Sequence, residues 1–374
     1  MVRIPPMKVA FDKEDIQDIH LKLDEILTTG MLAQGKYVAE LEQRWAEYVG
    51  AKHAVAVNSG TSAIEAPMRL LGVEGEEVLV PDNTFAATAM SVMAAGGLVR
   101  LVDTDPETFS VRLEDLKRRL TPQTVGVIVV HIGGIVTPEI ESIRRWCNDQ
   151  RIWLFEDCAH AHGSEYNGKR AGTFGVAGSY SFFATKVMTS AEGGMIVTDD
   201  DAVAEGSRLL RNHGKPQPWV SYHTCVGSNW RMSELNAIVG LAQLKRLDEF
   251  IAWREKIARL YGQWLEDIPG VIPVLPRSRS SWYKCMVLLP EGVDRGALKL
   301  RMKERGVSLS GEVYETPLHQ QPVFLEQVGD SQFPNADEIC GRHVCLPLYH
   351  GMTEDEARFV IDTLRSCLRN GSQG

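Results

Sequence analysis

IWLFEDCAHAHG, residues 152–163, is a short apolar run that ends in two carboxylates and is followed by two histidines. Six similar runs flank it between about residues 50 and 200, with amphipathic stretches such as Leu113–Leu120 and Glu139–Gln150 between several of them. Runs this short predict strands covered on both faces, and their alternation with helices predicts a mostly parallel α/β sheet. Ligands bind at the carboxyl ends of the strands in such sheets. The other runs are Ala54–Val57, Val78–Val80, Leu98–Val102, Val125–Val130, Ser179–Phe183 and Met195–Val197.

A single lysine, Lys186, follows another strand end in the sequence SFFATK, residues 181–186. An acid at one strand end and a lysine among small polar residues at the next form the pair that a pyridoxal phosphate (PLP) site needs. The lysine bonds to the cofactor aldehyde, and Asp157 keeps the pyridine nitrogen protonated so that the ring accepts electrons from a carbanion. Alone, such a lysine is usually a surface charge and such an aspartate a cap or turn residue. The hypothesis rests on the combination.

The sequence VNSGTSA, residues 57–63, closes one strand and opens a helical stretch. Backbone N–H groups at a helix start, together with the Thr61 and Ser62 hydroxyls, can bind phosphate. An ordinary helix N-cap would also favour Ser or Thr here. Phe85 follows a further strand end, where it could stack on a flat ring or belong to the core.

Two further polar segments are candidates for ligand contact. His160 lies three residues after Asp157, so a turn would place both on one side, where His160 could hydrogen-bond a ring oxygen. No third ligand stands at a recognisable spacing from the histidines, so we expect no metal. Asn229 and Arg231 precede a long helix and could serve a phosphate, and the loop PLHQQP, residues 317–322, could close over a cleft.

The composition excludes several classes of protein. The chain has 374 residues and a net charge of −9, which argues against nucleic acid as a partner. Its seven cysteines lack zinc spacing and no secretory segment opens the chain, so we expect reduced thiols in a cytoplasmic protein. No apolar run is long enough to span a membrane. The terminal GSQG, residues 371–374, is expected to be mobile.

The C-terminal half differs in organisation. A helical pattern from Ser233 to about Asp267 is too long for one ordinary helix, which predicts a kink or a linking helix before Pro269-Gly270. The chain after this break is typical of a small α+β domain. We therefore expect a large cofactor-binding domain with an N-terminal arm at residues 1–245 and a small domain at 246–374. The elements predicted in the small domain are strands Trp282–Leu289 and Val307–Val313 and helices Arg295–Arg305 and Thr353–Arg369.

Taken together, these segments resemble the DegT/DnrJ/EryC1/StrS family of PLP-dependent sugar aminotransferases over nearly the whole chain. The resemblance implies a PLP-dependent transferase of fold type I, with a mostly parallel seven-stranded sheet, helices on both faces and a small C-terminal α+β domain. One departure is the run HIGGIVTP at residues 131–138, where many relatives carry a different loop near the sugar.

The resemblance also implies a role for individual residues. Lys186 would bond to the cofactor, Asp157 would pair with the pyridine nitrogen, His160 would contact the ring hydroxyl and Phe85 would stack on the ring. The active site would be shared across a homodimer, with Asn229 coming from the neighbouring subunit. The residues implied to hold the phosphate are Gly60, Thr61, Ser62, Ser181 and Asn229. Those expected to contact substrate are His131, Arg231 and His319, and Arg211, Lys215 and Arg277 are further cations for a diphosphate.

The reaction implied is the transfer of an amino group, from L-glutamate, to C4 of a dTDP-4-keto-6-deoxyhexose through the pyridoxamine phosphate form of the cofactor. The choice of C4 follows from His131 and the segment at residues 317–324, which look like those of 4-aminotransferases. The alternatives are amination at C3, a keto-inositol substrate, a PLP-dependent lyase and a non-enzymatic regulator of the same fold.

Overall fold

The computed structural model describes residues 4–217, 219–309, 311–328 and 331–369. The predicted mobile tail at residues 371–374 lies outside them. Twelve strands are present in these ranges. They are β1 His53–Val57, β2 Glu77–Pro81, β3 Leu98–Val102, β4 Thr124–Val130, β5 Trp153–Asp157, β6 Glu165–Tyr166, β7 Lys169–Arg170, β8 Ala177–Ser181, β9 Gly194–Thr198, β10 Ile272–Pro273, β11 Cys285–Leu288 and β12 His343–Leu346.

Helices cover much of the remaining described chain, and none of them is long and apolar enough to cross a membrane. They are α1 Lys13–Thr29, α2 Lys36–Val49, α3 Gly60–Leu70, α4 Ala86–Ala94, α5 Leu113–Arg119, α6 Ile140–Gln150, α7 Asp201–Leu210, α8 Glu234–Lys245, α9 Leu247–Leu265, α10 Arg295–Glu304, α11 Leu325–Val328, α12 Pro334–Arg342 and α13 Glu354–Arg369.

A seven-stranded sheet forms the centre of the larger unit, in the order β1-β9-β8-β5-β4-β2-β3. Only β9 runs against its neighbours, and the other strands share one direction. All seven predicted strands are present, and the predicted mostly parallel α/β sheet is confirmed. Their buried β-branched and apolar side chains pack beneath helices, as expected for strands covered on both faces.

The parallel strands bring distant parts of the sequence to one edge. Val130 at the end of β4 pairs with Asp157 at the end of β5, and Asp157 in turn pairs with Ser179 in β8. The carboxyl end of β8 then leads directly to Lys186. Residues that are far apart in the chain therefore meet at the edge where the sequence predicts a ligand.

The long helical pattern after Ser233 is two helices, as predicted. Helix α8 ends at Lys245 and α9 begins at Leu247, and Arg246 between them has φ −110° and ψ 3°, outside helical geometry. Arg246 pairs with Asp15 of α1 at 2.9 Å, so this junction is held by the N-terminal helix. The division of the chain into domains at residues 245 and 246 stays a prediction.

The C-terminal region contains the antiparallel sheet β10-β11-β12, with α10 and α13 packed in the same hydrophobic cluster. The prediction of a strand at Val307–Val313 is wrong. Val307 forms only an isolated bridge to Ile4, and Gly311 at φ 77° turns the chain. The third strand is instead β12, which the sequence analysis missed because it follows α12 without a turn signal. Ser310 lies outside the described residues.

The N-terminal arm packs against this C-terminal region. Ile4 donates its N–H to the Gly306 carbonyl at 2.8 Å and accepts from the Ser308 N–H at 3.0 Å, and its side chain is buried in the C-terminal cluster. The arm, which the sequence analysis grouped with the large domain, thus contacts the small one. It places Pro6 and Met7 beside a cavity at the carboxyl edge of the large sheet.

Candidate active site

A cavity of about 470 Å³ opens where the carboxyl ends of the large sheet face the C-terminal region. One wall comes from the segments after β1, β2, β5 and β8, another from residues 283–284 and 311–314, and Met7 of the arm closes a third side. Lys186, Asp157, His160 and Phe85 all line it. The cavity has the size of a small-molecule site.

Lys186 is half-buried in the segment after β8, and its Nζ lies 4.8 Å from the ring centre of Tyr283. Burial lowers the pKa of Lys186, Lys284 acts in the same direction, and Tyr283 and Asp157 partly oppose the shift. A lysine needs its neutral amine to act as nucleophile or base, so the shift is in the functional direction.

Asp157, at the end of β5, is 4 % exposed. Its Oδ2 accepts a hydrogen bond from Thr88 Oγ1 at 2.8 Å and its Oδ1 accepts from the Ala159 N–H at 3.0 Å. Burial raises the pKa of the Asp157 carboxyl, although both hydrogen bonds and Lys186 oppose that shift. A buried carboxylate gains strongly from a cationic N–H donor, such as a protonated pyridine nitrogen.

His160 is buried against the aromatic wall of the cavity. Its ring stacks on Tyr283 with 4.3 Å between ring centres, and its Nδ1 accepts from the Gly133 N–H at 3.3 Å. Burial and then Lys186 hold the pKa of His160 well below its usual value, so the ring is neutral. Since Nδ1 accepts, the proton is on Nε2, which lies 3.3 Å from the Tyr314 hydroxyl and is available to donate to an oxygen.

The N-terminus of α3, predicted to bind the phosphate, lies at the cavity. Ser59 caps this helix, and Ser62 completes a capping box with it. Thr61, Gly60 and Ser181 line the cavity, whereas the Ser62 hydroxyl is engaged with Asn58 Oδ1 at 2.8 Å inside the cap. A side chain at Gly60 would meet Ser181 Cβ at 2.8 Å, so only glycine lets the helix start approach the end of β8.

Phe85 is 59 % exposed although it is a large apolar residue, and it lines the cavity near Tyr314, with 5.9 Å between ring centres. The alternative interpretation of Phe85 as core is therefore wrong. Its ring is open to a flat ligand, while its stacking on a cofactor stays a prediction.

These features together fit PLP. Asp157 offers a buried carboxylate to a ring nitrogen, the α3 N-terminus offers unpaired N–H groups to a phosphate, and His160 offers a donor to a ring oxygen. Lys186 supplies the amine for the cofactor aldehyde. Each group of the cofactor thus has a matching residue in one cavity.

His131, predicted to contact the sugar, is fully buried and does not line the cavity. Its Nε2 lies 2.9 Å from Glu156 Oε2. The Glu156 carboxylate also accepts three backbone N–H groups, from Gly172, Phe174 and Gly175. Cys158 lies within ligand distance of this pair, but the saturated carboxylate indicates a structural network. His131 therefore braces the sheet behind Asp157 and is out of reach of a sugar in this structure.

The other predicted substrate residues also lie outside the cavity wall of this chain. His319 is held between Asp82, 2.6 Å from its Nδ1, and Asp337, 3.2 Å from its Nε2. Burial raises the pKa of Asp82 to about 6, with His319 opposing the shift. Arg231 donates to Asn212 Oδ1 at 2.9 Å, and Asn229 is exposed beside it.

The additional cations proposed for a diphosphate are placed elsewhere too. Arg211 is buried between Glu42 and the Ala56 carbonyl, and Arg277 pairs with Glu107 at the surface. Lys215 does not line the cavity. Asn229, Arg231 and Lys215 are thus not part of the cavity lining of this chain.

Several residues of the cavity escaped the sequence analysis, among them Thr88, Tyr283, Lys284 and Tyr314. Tyr283 and Lys284 were assigned to a predicted strand, but the strand begins only at Cys285. The usable signal was Lys284 itself, a charge within the otherwise apolar run WYKCMVLL. Thr88 and Tyr314 carried no local signal, because only tertiary packing brings them to Asp157 and His160.

Residues 13–365 match the DegT/DnrJ/EryC1/StrS aminotransferase family. The chain belongs to this family, and it is a PLP-dependent aminotransferase of fold type I. The predicted cofactor is thereby confirmed.

Similar proteins extend over the full length. The GDP-perosamine synthase of Caulobacter vibrioides is 33 % identical, covering 98 % of this chain and 100 % of the relative. The structure of Helicobacter pylori PseC, an aminotransferase involved in the biosynthesis of pseudoaminic acid, matches with a TM-score of 0.92 at 25 % identity, covering 98 % of this chain and 100 % of PseC. The Bacillus subtilis NtdA structure, with bound cofactor PMP, matches with a TM-score of 0.90 at 25 % identity, covering 99 % of this chain and 86 % of NtdA.

Proposed function

We propose that this enzyme transfers the amino group of L-glutamate to C4 of a dTDP-linked 4-keto-6-deoxyhexose, in a cytoplasmic pathway of deoxyaminosugar biosynthesis. The observation that carries the aminotransferase chemistry is the presence of Lys186 and Asp157 on one cavity, each with its pKa shifted by burial. The sugar substrate is supported by the relatives, whose names refer to sugar products.

PLP, when bound, supplies an electron sink for the carbon that loses or gains a proton. Asp157 would accept a hydrogen bond from the N–H of the cofactor ring and stabilise the positive charge of that nitrogen. His160 would donate a hydrogen bond from Nε2 to the ring oxygen. Lys186, with its lowered pKa, takes the proton from the α-carbon of the amino donor and returns a proton to the sugar carbon that is aminated. Phe85 and Tyr314 form apolar walls that reduce access of water.

C4 and dTDP are the specific parts of the proposal. The choice of C4 is supported by the resemblance of the segment at residues 317–324 and of His131 to those of 4-aminotransferases, and dTDP follows from the family resemblance alone. In this structure the two histidines concerned contact Glu156 and Asp82, so they would shape the site through those carboxylates and not through the sugar. The similar Caulobacter protein carries GDP in its name, so GDP-linked ketosugars belong among the test substrates.

We also propose a homodimer with shared active sites. Asn229 and Arg231 lie in a segment that hydrogen-bonds to the Leu32 region through the Glu234 N–H at 2.9 Å. Met31 and Leu32 are exposed there, and so are three large apolar residues of the preceding loop, Trp219, Tyr222 and Val226. Exposed apolar side chains grouped around polar residues are typical of a subunit interface.

The function is tested by incubating the PLP-loaded protein with L-glutamate and ketosugars, followed by mass spectrometry and product NMR. The panel holds dTDP- and GDP-linked 4-keto-6-deoxyhexoses, a dTDP-linked 3-ketosugar and a keto-inositol. We expect a new C–N bond at C4 of the dTDP sugar. Amination at C3, or turnover of the keto-inositol alone, would overturn the substrate assignment and leave the aminotransferase intact.

The regulator alternative predicts no product and no visible absorbance band from a cofactor bound to lysine.

The shared site is tested by mixing two inactive variants, Lys186→Ala and Arg231→Ala. A shared site predicts that mixed dimers recover activity, because one of their two sites contains both intact residues. Failure to recover any activity after subunit exchange would contradict it.

A further inference from the structure

A second lysine, Lys284, lies in the same cavity as Lys186. Its Nζ is 4.9 Å from the ring centre of Tyr283, the ring that lies 4.8 Å from the Nζ of Lys186. Two amines thus flank one aromatic ring in the wall of the active site. Lys284 is half-buried, and within the described residues it forms no salt bridge.

No carboxylate of the described residues forms a salt bridge with the Lys284 amine. Glu312, which also lines the cavity, is engaged with Lys299 at 3.0 Å. Gly311 faces the amine, and a Cβ at that position would lie 2.5 Å from the Lys284 Nζ. Glycine at this position therefore leaves room for the Lys284 amine itself, and a partly desolvated ammonium group gains strongly from a charged acceptor.

We propose that Lys284 binds the α-carboxylate of the amino donor. This inference rests on the proposed function, and it supplies a cationic partner for the carboxylate of the donor. The position beside Lys186 favours a carboxylate over the diphosphate of the sugar substrate. The donor's carboxylate is attached to the very carbon whose proton Lys186 removes, whereas the diphosphate of a sugar aminated at C4 lies across the hexose ring.

The ring of Tyr283 is the surface that both lysine amines contact. Burial opposes ionisation of Tyr283, but Lys186 and Lys284 together lower its pKa. The charge of Lys284 helps to lower the pKa of Lys186, and a carboxylate bound at Lys284 would neutralise that charge and weaken this effect. Donor binding and the proton-accepting state of Lys186 are therefore expected to be linked.

The test is the donor half-reaction of Lys284→Met, followed by the change in cofactor absorbance at increasing L-glutamate. We expect the concentration for half-maximal rate to rise about tenfold to a hundredfold, the effect of losing one charged hydrogen bond. Lys303→Met, on the exposed side of α10, is the matched control and should behave as the unmodified enzyme. The half-reaction of the pyridoxamine form with the ketosugar should keep its substrate affinity.

A binding measurement gives a readout that does not depend on turnover. Glutarate, an unreactive dicarboxylate, should bind the PLP-loaded enzyme in calorimetry and should bind Lys284→Met at least about tenfold more weakly. Lys284→Arg should recover part of the lost glutarate affinity. If Lys284→Met does not hold PLP, Lys284→Gln replaces it in both measurements. If Lys284→Met instead loses affinity for the ketosugar and keeps its affinity for the donor and for glutarate, the proposal is overturned and Lys284 binds the diphosphate of the sugar.

The proposed function can fail separately. If L-glutamate does not convert the cofactor in the unmodified enzyme, the donor assignment is wrong, and the half-reaction is repeated with the amino acid that does. Every such donor carries an α-carboxylate, so Lys284→Met must still weaken it. Equal affinity of the variant for that donor would overturn the role of Lys284 whatever the sugar is.

Discussion

Thr88 donates a hydrogen bond of 2.8 Å from its Oγ1 to Oδ2 of Asp157. Thr88 belongs to α4 and Asp157 ends β5, so a helix orients the carboxylate of a neighbouring strand. Because the Thr88 proton is used on Asp157, the 2.8 Å contact between Thr84 and Thr88 must be donated by Thr84. The carboxylate is thus held in place by a short chain of hydroxyls before any cofactor binds.

Thr88→Val is expected to weaken PLP binding about tenfold. It removes one of the two hydrogen bonds to the buried Asp157 carboxylate and leaves the side-chain volume nearly unchanged. The pKa of Asp157, already raised by burial, should rise further. PLP affinity is measured by absorbance titration. Thr84→Val is the control, since it leaves the direct bond intact, and an equal loss in both variants would contradict the assignment.

Asp157→Ala is expected to bind PLP weakly and to turn over at least about a hundredfold more slowly. Without the carboxylate the ring nitrogen is not held protonated, and the ring is a poor electron sink. Single-turnover kinetics at saturating PLP separate the slower proton transfer from weaker binding. Asp157→Glu retains the charge and should recover part of the rate; near-normal turnover of the alanine variant would show that Asp157 is not the ring partner.

Lys186→Ala is expected to abolish activity and the borohydride-trappable bond to the cofactor, with the fold unchanged. Among the described residues, Lys186 and Lys284 are the lysines that line the cavity, and of these two Lys186 follows β8 and acts on the pKa of Asp157. Peptide mapping after reduction locates the trapped adduct. An adduct on any other lysine of the unmodified enzyme would refute the assignment.

Gly60→Ala is expected to reduce PLP affinity by at least about tenfold, because the new methyl group would meet Ser181 Cβ at 2.8 Å and separate the start of α3 from the end of β8. The proposed phosphate site lies between these two segments. Gly262→Ala, on the open side of α9, is a control because a Cβ there meets nothing within 4 Å. The melting temperatures of both variants distinguish a local from a general loss.

His343→Gln is expected to reduce the pH dependence of stability. Burial lowers the pKa of His343 from 6.5 to about 4, so the folded ring stays neutral while the unfolded chain takes up a proton. Stability is therefore complete above pH 6.5 and falls as the pH drops toward 4, by about 3 kcal/mol at most from this residue.

Glutamine offers one acceptor and one donor, as the neutral His343 ring does toward the Val313 N–H and the Ile339 carbonyl, and it does not titrate. Urea unfolding at about pH 7.5 and about pH 4.5, on either side of the titration, gives the free energies of unfolding. His160 and His162 are shifted in the same direction and remain in both proteins, so the difference between the two proteins isolates His343. An identical loss of stability in both would contradict the prediction.

The strands, and the part of the site formed by the residues at their carboxyl ends, were predictable because both follow from local rules. Short apolar runs fix the strands, and parallel strands bring their polar ends together, which placed Asp157, Ser181 and the start of α3 at one edge. The break at Arg246 followed in the same way from helix length.

The rest of the site depends on tertiary packing that no local rule contains. Val307–Val313 has an alternating pattern, yet Gly311 and the arm divert it into the cavity wall. His131 and His319 stand at promising places in the sequence, but their rings contact the buried carboxylates of Glu156 and Asp82. The position of a polar residue after a strand predicts that the residue lies at the edge of the sheet. It does not predict the direction in which the side chain of that residue points.

The composition of the cavity wall has a consequence for synthesis of the protein. Lys186 and Asp157 are made in the first half of the chain, but Tyr283, Lys284 and Tyr314 are made only near its end. A ribosome-bound chain that has completed the large sheet therefore exposes its reactive lysine in an open trough. Stable cofactor capture must wait until translation is nearly finished, and a fragment ending before residue 283 should acquire PLP only loosely.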